Sequence, residues 1–313
     1  MPYNSILSRS NVQSLIPEEV ASGIIESATV ASAALSLFPR VQMSSNQTRM
    51  PALAALPTAY FVSGDTGLKQ TTEMAWENKF LNVEEIAAIV PIPEAVLDDS
   101  SFDVWGTIQP RLAESIGRAI DAAIFFGTNK PSSWPSDVVT AATAASHTYA
   151  RGTNAAAAGG ISEDLSQVMA LVEADGFDVN GWVSKTTFKA RLRSARDTTG
   201  QKLLDVSNNT IEGSPLYYVM PGLWPTGTSA AEVITGDWSQ MILGMRQDIT
   251  YKILDQAVIQ DGAGAIQYNL AQQDMVALRV VMRLAWEIAN PINYENQTEA
   301  TRYPFSVLLS PAS

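Results

Sequence analysis

The sequence predicts a mixed α+β fold, and three observations carry that prediction. The segment 100–127 repeats apolar residues at Val104, Ile108, Leu112, Ile116, Ile120 and Ile124, the spacing of one helical stripe. The stretches 49–93 and 215–289 are instead rich in strand formers, in alternation or in apolar runs. Within the first of these stands GDTGLKQTTEMAWENKF at 64–80. It reads as the polar tip and return strand of a long hairpin with little of its own to bury. An isolated two-stranded ribbon is only marginally stable in water, so this one needs something to pack against.

Taken in order, residues 17–38 read as a short helix followed by an extended arm. Pro17 suits a first helical position, and Glu18 and Glu19 suit the positive end of the helix dipole. Helical character fades at Thr29 and Val30. Tyr60, Phe61 and Val62 lead up to a tip at Gly64–Gly67. On the return, Met74, Trp76 and Phe80 share one face, while Glu73, Glu77 and Lys79 take the other. The alternation slips phase at Leu81–Val83, which predicts a bulge or bend.

The helix in 100–127 ends at Gly127, where a left-handed cap is expected. Pro110 leaves two options: the helix starts there with about 25 Å of rod, or a longer helix kinks. Residues 128–160 read as a long loop of small residues, and Gly159–Gly160 is the best place to divide the chain. Beyond it, 161–176 predicts a helix with Ser162 as N-cap and Gly176 as its close. GWVSK (181–185) predicts a strand, and 186–197 a basic helix with Phe188 and Leu192 facing inward. Strands follow at 215–220, 231–235, 239–246 and 249–254, with turns at 236–238 and 246–248. The last strand, 273–289, is apolar on both sides and predicts cover on both. There is neither an internal repeat nor a heptad pattern.

Composition narrows the function. The 313 residues are 46% hydrophobic, enough for a core, and only 17% charged, which hints at surface hidden in an assembly. The net charge of −12 speaks against sequence-specific DNA binding, which needs a basic surface. With no cysteine, disulfides, thiolate metal sites and cysteine nucleophiles are excluded. The opening MPYNSILSRS lacks a secretory pattern, and apolar runs such as 30–38 and 86–97 are too short or proline-broken to span a membrane. A protein made in the cytosol is expected.

Catalytic readings fail one by one. His147, the single histidine, lies in ASHTYARG and reads as a polar loop residue. DGFDVNG (175–181) echoes a calcium loop, but that alignment puts Gly176 and Thr187 where the first and last ligands belong. Phosphate-cradling glycine motifs are absent, and no cofactor or metal is expected. The run Lys185, Lys189, Arg191, Arg193 and Arg196 reads as charge pairing within the chain, for example with Asp197, or with a neighbouring subunit; contact with DNA is the rival reading.

The ordered set of these parts resembles the major capsid proteins of tailed bacteriophages, with the HK97-like capsid fold. ENKFLNVEEIAAIVPIPEAVLDDSSFDVWGTIQPRLAESIGRAIDAAIFFGTN (77–129) is similar to that family's E-loop return strand, crossover and spine helix. GWVSKTTFKARLRSARDTTGQKLL (181–204) resembles its A-domain strand and helix, and 234–254 its paired A-domain strands. DMVALRVVMRLAWEIANPINY (274–294) resembles its P-domain strand. The resemblance implies five segments: N-terminal arm 1–45, E-loop 46–93, P-domain with spine helix 94–160, A-domain 161–265, and P-domain return with C-terminal segment 266–313.

It also implies an icosahedral shell of pentamers and hexamers, assembled in the host cytoplasm and enclosing double-stranded DNA without sequence-specific contacts. Expected partners are other copies of the chain, a portal, and scaffolding or decoration proteins, with no membrane. Met74, Trp76, Phe80 and Lys69 of the E-loop would meet a neighbouring subunit, which answers where the hairpin gains its burial. Some relatives weld the shell through a lysine–asparagine isopeptide bond. Lys69, Asn290 or Asn293, and Glu295 stand in the matching regions, although most members of the fold do not crosslink. The arm begins almost at Met1, so scaffolding that is a separate protein or dispensable, and maturation without cleavage, are expected. The alternatives are an encapsulin-like cargo shell and, in another class, a soluble α+β enzyme.

Overall fold

A computed structural model describes residues 32–62, 69, 71–98, 104–196, 209–220 and 222–311. The expected helix from Pro17, the Gly64–Gly67 tip and Asp197 lie outside the described residues.

The arm enters through α1 (Ala33–Leu37), where an extended path was expected. Its single turn is held by capping: Ser32 Oγ accepts from Leu35 N at 3.1 Å, and the Asp121 carboxylate accepts from Ser32 Oγ, Ala33 N and Ala34 N at 2.7, 3.0 and 3.1 Å. Asp121 is 87 to 89 residues away in sequence, so local propensity could not reveal the turn.

After β1 (Arg40–Gln42), β2 (Gln47–Ala55) and β3 (Ala75–Asn82) form the expected antiparallel ribbon, from Gln47↔Asn82 to Ala55↔Ala75. Tyr60–Val62 lie outside any strand, a correction to their reading as strand residues. The predicted phase slip falls at Val83, which separates β3 from β4 (Glu84–Pro93). After the short α2 (Glu94–Asp98) comes the spine, α3 (Val104–Phe126), which carries Pro110 inside it. Its 23 residues correspond to about 34 Å of rod. Leu112, Ile116, Ile120 and Ile124 are buried along it, and Gly127 takes the expected positive φ of 68°.

The loop expected at 128–160 holds a helix, a strand and a short 3-10 turn (Ala156–Ala158) instead. α4 (Val138–Ala144) is N-capped by Asp137 and buries Val138 and Ala142. β5 (Thr148–Ala150) pairs in parallel with β14 (Phe305–Leu309), a partner 159 residues on that local pattern cannot show. α5 (Ile161–Glu173) starts from Gly160 rather than Ser162, because the positive φ values of Gly159 and Gly160 bring the chain in two residues earlier. β6 (Gly181–Lys185) and α6 (Phe188–Ser194) follow as predicted, with Phe188 and Leu192 fully buried.

After β7 (Thr210–Ile211), β8 (Ser214–Val219) and β9 (Ala231–Gly236), the two strands expected at 239–254 are one, β10 (Met241–Leu254). The turn predicted at 246–248 is absorbed as two register shifts against the equally long β13 (Met275–Ile288), which holds the strand continuous. A small hairpin, β11 (Val258–Gln260) and β12 (Ile266–Asn269), joins them.

Four strands in the order β1-β10-β13-β4 make one sheet, and six in the order β5-β14-β9-β6-β8-β7 make the other. The segment 234–254, expected as paired A-domain strands, is instead divided between β9 of one sheet and β10 of the other. The sheets also trade strands across the expected segments: β10 from 161–265 lies with β13, while β5 and β14 join β6 and β9. α3 packs its apolar stripe into the core shared by both sheets, against Trp238, Trp286 and Phe305 among others. A second cluster, around Trp182, Phe188, Leu192 and Leu308, lies between the six-stranded sheet and helices α5 and α6.

Candidate assembly interface

The β2–β3 ribbon turns its faces the wrong way for a finished surface. Trp76 and Phe80 point to solvent at 65% and 42% exposure, while Glu77 and Lys79 on the alternate face lie against the body of the subunit. Opposite Trp76 and Phe80 in the register stand Leu53 and Arg49. With Asn78 and its partner Pro51 between them, the bare face is therefore mainly apolar, with one amide and one cation. Met74, Phe61 and Tyr60 continue the exposed apolar surface into the connecting loop. A stretch of this kind marks a protein contact rather than a solvated edge.

The inward face is fastened. Lys79 Nζ donates to Glu299 Oε1 at 2.8 Å and lies 3.5 Å from Glu77 Oε1. Burial alone would lower the Lys79 pKa, but the hydrogen bond and charge of Glu299 outweigh it and raise the value. Tyr294 Oη donates to Pro57 O at 2.9 Å, and Trp134 Nε1 donates to Asn82 O at 3.1 Å. Glu299 and Tyr294 belong to the loop between β13 and β14, which is itself pinned. Arg302, 4% exposed, donates to Asn290 Oδ1, Asn290 O and Asn296 O, and Asn296 Nδ2 donates to Asp175 Oδ1.

The same loop holds the expected crosslinking residues. Asn290 Nδ2 donates to Arg302 O at 2.9 Å, and Asn293 Nδ2 donates to Asp175 O at 2.6 Å. Asn293 Oδ1 accepts from the backbone N–H groups of Glu295 and Asn296. Lys69 is exposed at the far end of the ribbon.

His147, expected as a polar loop residue, is buried at 6% exposure with both ring nitrogens in polar contacts. Its place is structural: packing of α4 against β14 draws it under the sheet edge, and Asp175 meets it there. In the basic run, Lys185 Nζ lies 2.9 Å from Glu232 Oε1, and Lys189 Nζ reaches Asn209 Oδ1 and stands 5.3 Å over the Tyr218 ring. Arg196 bonds backbone carbonyls of Arg193 and Ala195, whereas Arg191 and Arg193 make no ion pair among the described residues.

Sequence reasoning missed Asp121, Asp175, Glu232 and Arg302, four buried charged side chains that organise the fold. Only Asp121 carried a signal, as a lone carboxylate within the apolar run AIDAAIFF. Among the described residues, no group of three or more His, Cys, Asp or Glu could hold a metal, and no helix is long and apolar enough to cross a membrane.

A subunit that hides its charged ribbon face and bares the apolar one is a component of a larger protein assembly. The phage capsid family model matches residues 13–293, and the chain belongs to that family. Among curated proteins it is similar to the major capsid protein of Staphylococcus phage 80alpha, 25% identical over 295 residues, 92% of this chain and 86% of that one. Among solved structures it is similar to one from Microbacterium phage Oxtober96, 36% identical with a TM-score of 0.79, covering 97% of this chain and 96% of that chain. One from Mycobacterium phage Bobi is 32% identical with a TM-score of 0.80, covering 95% and 96%. The expected α+β HK97-like capsid fold is borne out, and the role is structural rather than enzymatic. The chain functions as a tailed-phage major capsid subunit, oligomerising into the shell of the virion. Family membership sets aside the enzyme and the cargo compartment.

Proposed function

We propose that the protein closes an icosahedral shell by laying its β2–β3 ribbon over an adjacent subunit within pentamers and hexamers. The observation that carries this reading is the outward apolar face of Trp76 and Phe80 beside an inward, salt-bridged Lys79. Burying a Trp and a Phe at each contact contributes roughly 2–3 kcal/mol apiece, modest for one pair but decisive when a closed shell repeats it. The shell would assemble in the host cytoplasm with a portal and a separate scaffold, and enclose double-stranded DNA through non-specific contacts. Decoration proteins would add to the outside. Subunit contacts are read as non-covalent, since the Asn290 and Asn293 amides are already engaged within their own chain. Electron microscopy of the purified protein tests the reading. Closed shells are expected from the chain expressed alone or with its scaffold, and a protein that stays monomeric in both cases overturns the reading. A denaturing gel of intact shells is expected to show monomer bands alone; a ladder of linked subunits would restore the Lys69 crosslink.

A further inference from the structure

Beside the loop 222–229 lies a cleft of about 430 Å3 whose walls bring together Arg151, Lys185, Arg191, Glu232, Thr186 and Thr187. Arg151 follows β5, Lys185 ends β6, Arg191 stands on α6 and Glu232 on β9, so the tertiary fold alone assembles the group. Among the described residues, Glu232 is the only carboxylate lining it. Both its oxygens are taken: Oε2 lies 2.5 Å from Arg151 Nε and Oε1 lies 2.9 Å from Lys185 Nζ. The Glu232 side chain is 2% exposed, and those of Arg151 and Lys185 are 18% and 24% exposed. Two cations on one carboxylate leave a positive charge in partly desolvated surroundings, and Arg191 adds another. A buried charge needs a partner, and this cleft reverses the sign of a chain whose net charge is −12.

We propose that this cleft is a socket for a carboxylate side chain of a second copy of the chain. The inference rests on the shell-forming reading and adds to it a polar contact away from the ribbon. The charge imbalance requires anionic oxygen, and a guanidinium fork with neighbouring hydroxyls is suited to a carboxylate. A second copy is favoured because the chain carries 32 acidic residues against 20 Lys and Arg, so an adjacent copy offers carboxylates. A confined cleft takes a side chain and the loop that carries it, whereas a nucleic-acid strand is followed by a long basic groove.

Zero-length carbodiimide coupling of intact shells, mixed from isotopically light and heavy subunits, tests the socket. Mass spectrometry is expected to find Lys185 joined to an Asp or Glu other than Glu232 in light–heavy pairs, and to find no such link in dissociated subunits. Lys185 joined only to Glu232, in shells as in subunits, overturns the proposal. Arg191 is exposed, so Arg191→Glu should leave circular dichroism and melting of the subunit unchanged while lowering shell yield at least tenfold; Arg191→Gln should give a smaller loss. Wild-type yield from both variants overturns the proposal. So do Arg191→Glu shells that form normally and lose only their DNA, which would assign the cleft to phosphate. Failure of the wild type to form shells at all defeats the shell reading itself and is distinct from shells that form without the link.

Discussion

His147 Nε2 stands 3.1 Å from Asp175 Oδ2, while its Nδ1 lies 3.2 Å from Phe305 O. A carbonyl oxygen can only accept, and so can an ionised carboxylate. Both ring nitrogens therefore need protons, or the shared proton sits on Asp175. Asp175 also accepts from Tyr303 N at 2.7 Å and from Asn296 Nδ2 at 2.7 Å. The pair thus ties the end of α5 and the approach to β5 to the loop that anchors the ribbon.

Because His147 is the only histidine, 15N NMR of histidine-labelled protein reads this pair without assignment. The ring nitrogen Nδ1 should give a protonated signal in the folded state, because Phe305 O can only accept. A bare Nδ1 would contradict the hydrogen-bond geometry. His147→Ala should cost about 3 kcal/mol in urea unfolding, the scale for removing one partner of a buried pair.

Asp121 should make stability fall as pH rises. Burial pushes its pKa from 3.8 up to about 6, against the lowering effect of the hydrogen bonds from Ser32, Ala34 and Ala33. The folded state thus holds a proton that the unfolded chain has released, and loses it as pH rises through this window. The contribution lost between pH 3.8 and about 6 amounts to about 3 kcal/mol. Asp121→Asn removes this dependence, so the urea stability gap between wild-type and variant subunits should change by that amount from pH 4 to pH 7, in the variant's favour. Parallel profiles would refute the assignment.

Trp76→Ala and Phe80→Ala separate folding from assembly. Both side chains are exposed in the isolated subunit, so melting should change by no more than surface substitutions do, within about 0.5 kcal/mol. Shell formation by the double variant should fail. A large loss of subunit stability would mean that the ribbon packs on its own chain after all.

Gly236 sits between Phe305 of β14 and Gly181 of β6 in the six-stranded sheet. A Cβ there would lie 2.1 Å from Pro304 O and 2.8 Å from Phe305 Cα, backbone atoms that cannot swing aside. Gly236→Ala should cost about 3 kcal/mol or more. Gly213→Ala, at φ 81° but with open space around it, should cost only about 1–2 kcal/mol. Equal unfolding midpoints for the two variants would refute the steric reading.

Elements whose cause lies in adjacent residues were legible in the sequence. The four-residue spacing of the spine, the glycine at its end and the phase slip at Val83 were read correctly because each depends on nearest neighbours. α1, β5 and the continuity of β10 were not, since their partners are Asp121, β14 and β13. The assembly face was half legible. Alternation separated Trp76 and Phe80 from Glu77 and Lys79, but which side would meet solvent depended on Glu299, 220 residues beyond Lys79.

By itself the sequence determined the family, the spine helix, the ribbon and the absence of thiol chemistry, because periodicity, turn residues and composition are local quantities. Tertiary structure alone decided the partition of strands between two sheets, the burial of His147 with Asp175, and the convergence of two cations on Glu232. Those outcomes depend on charges and backbone edges that meet only after distant segments pack, where removal from water makes each pairing count.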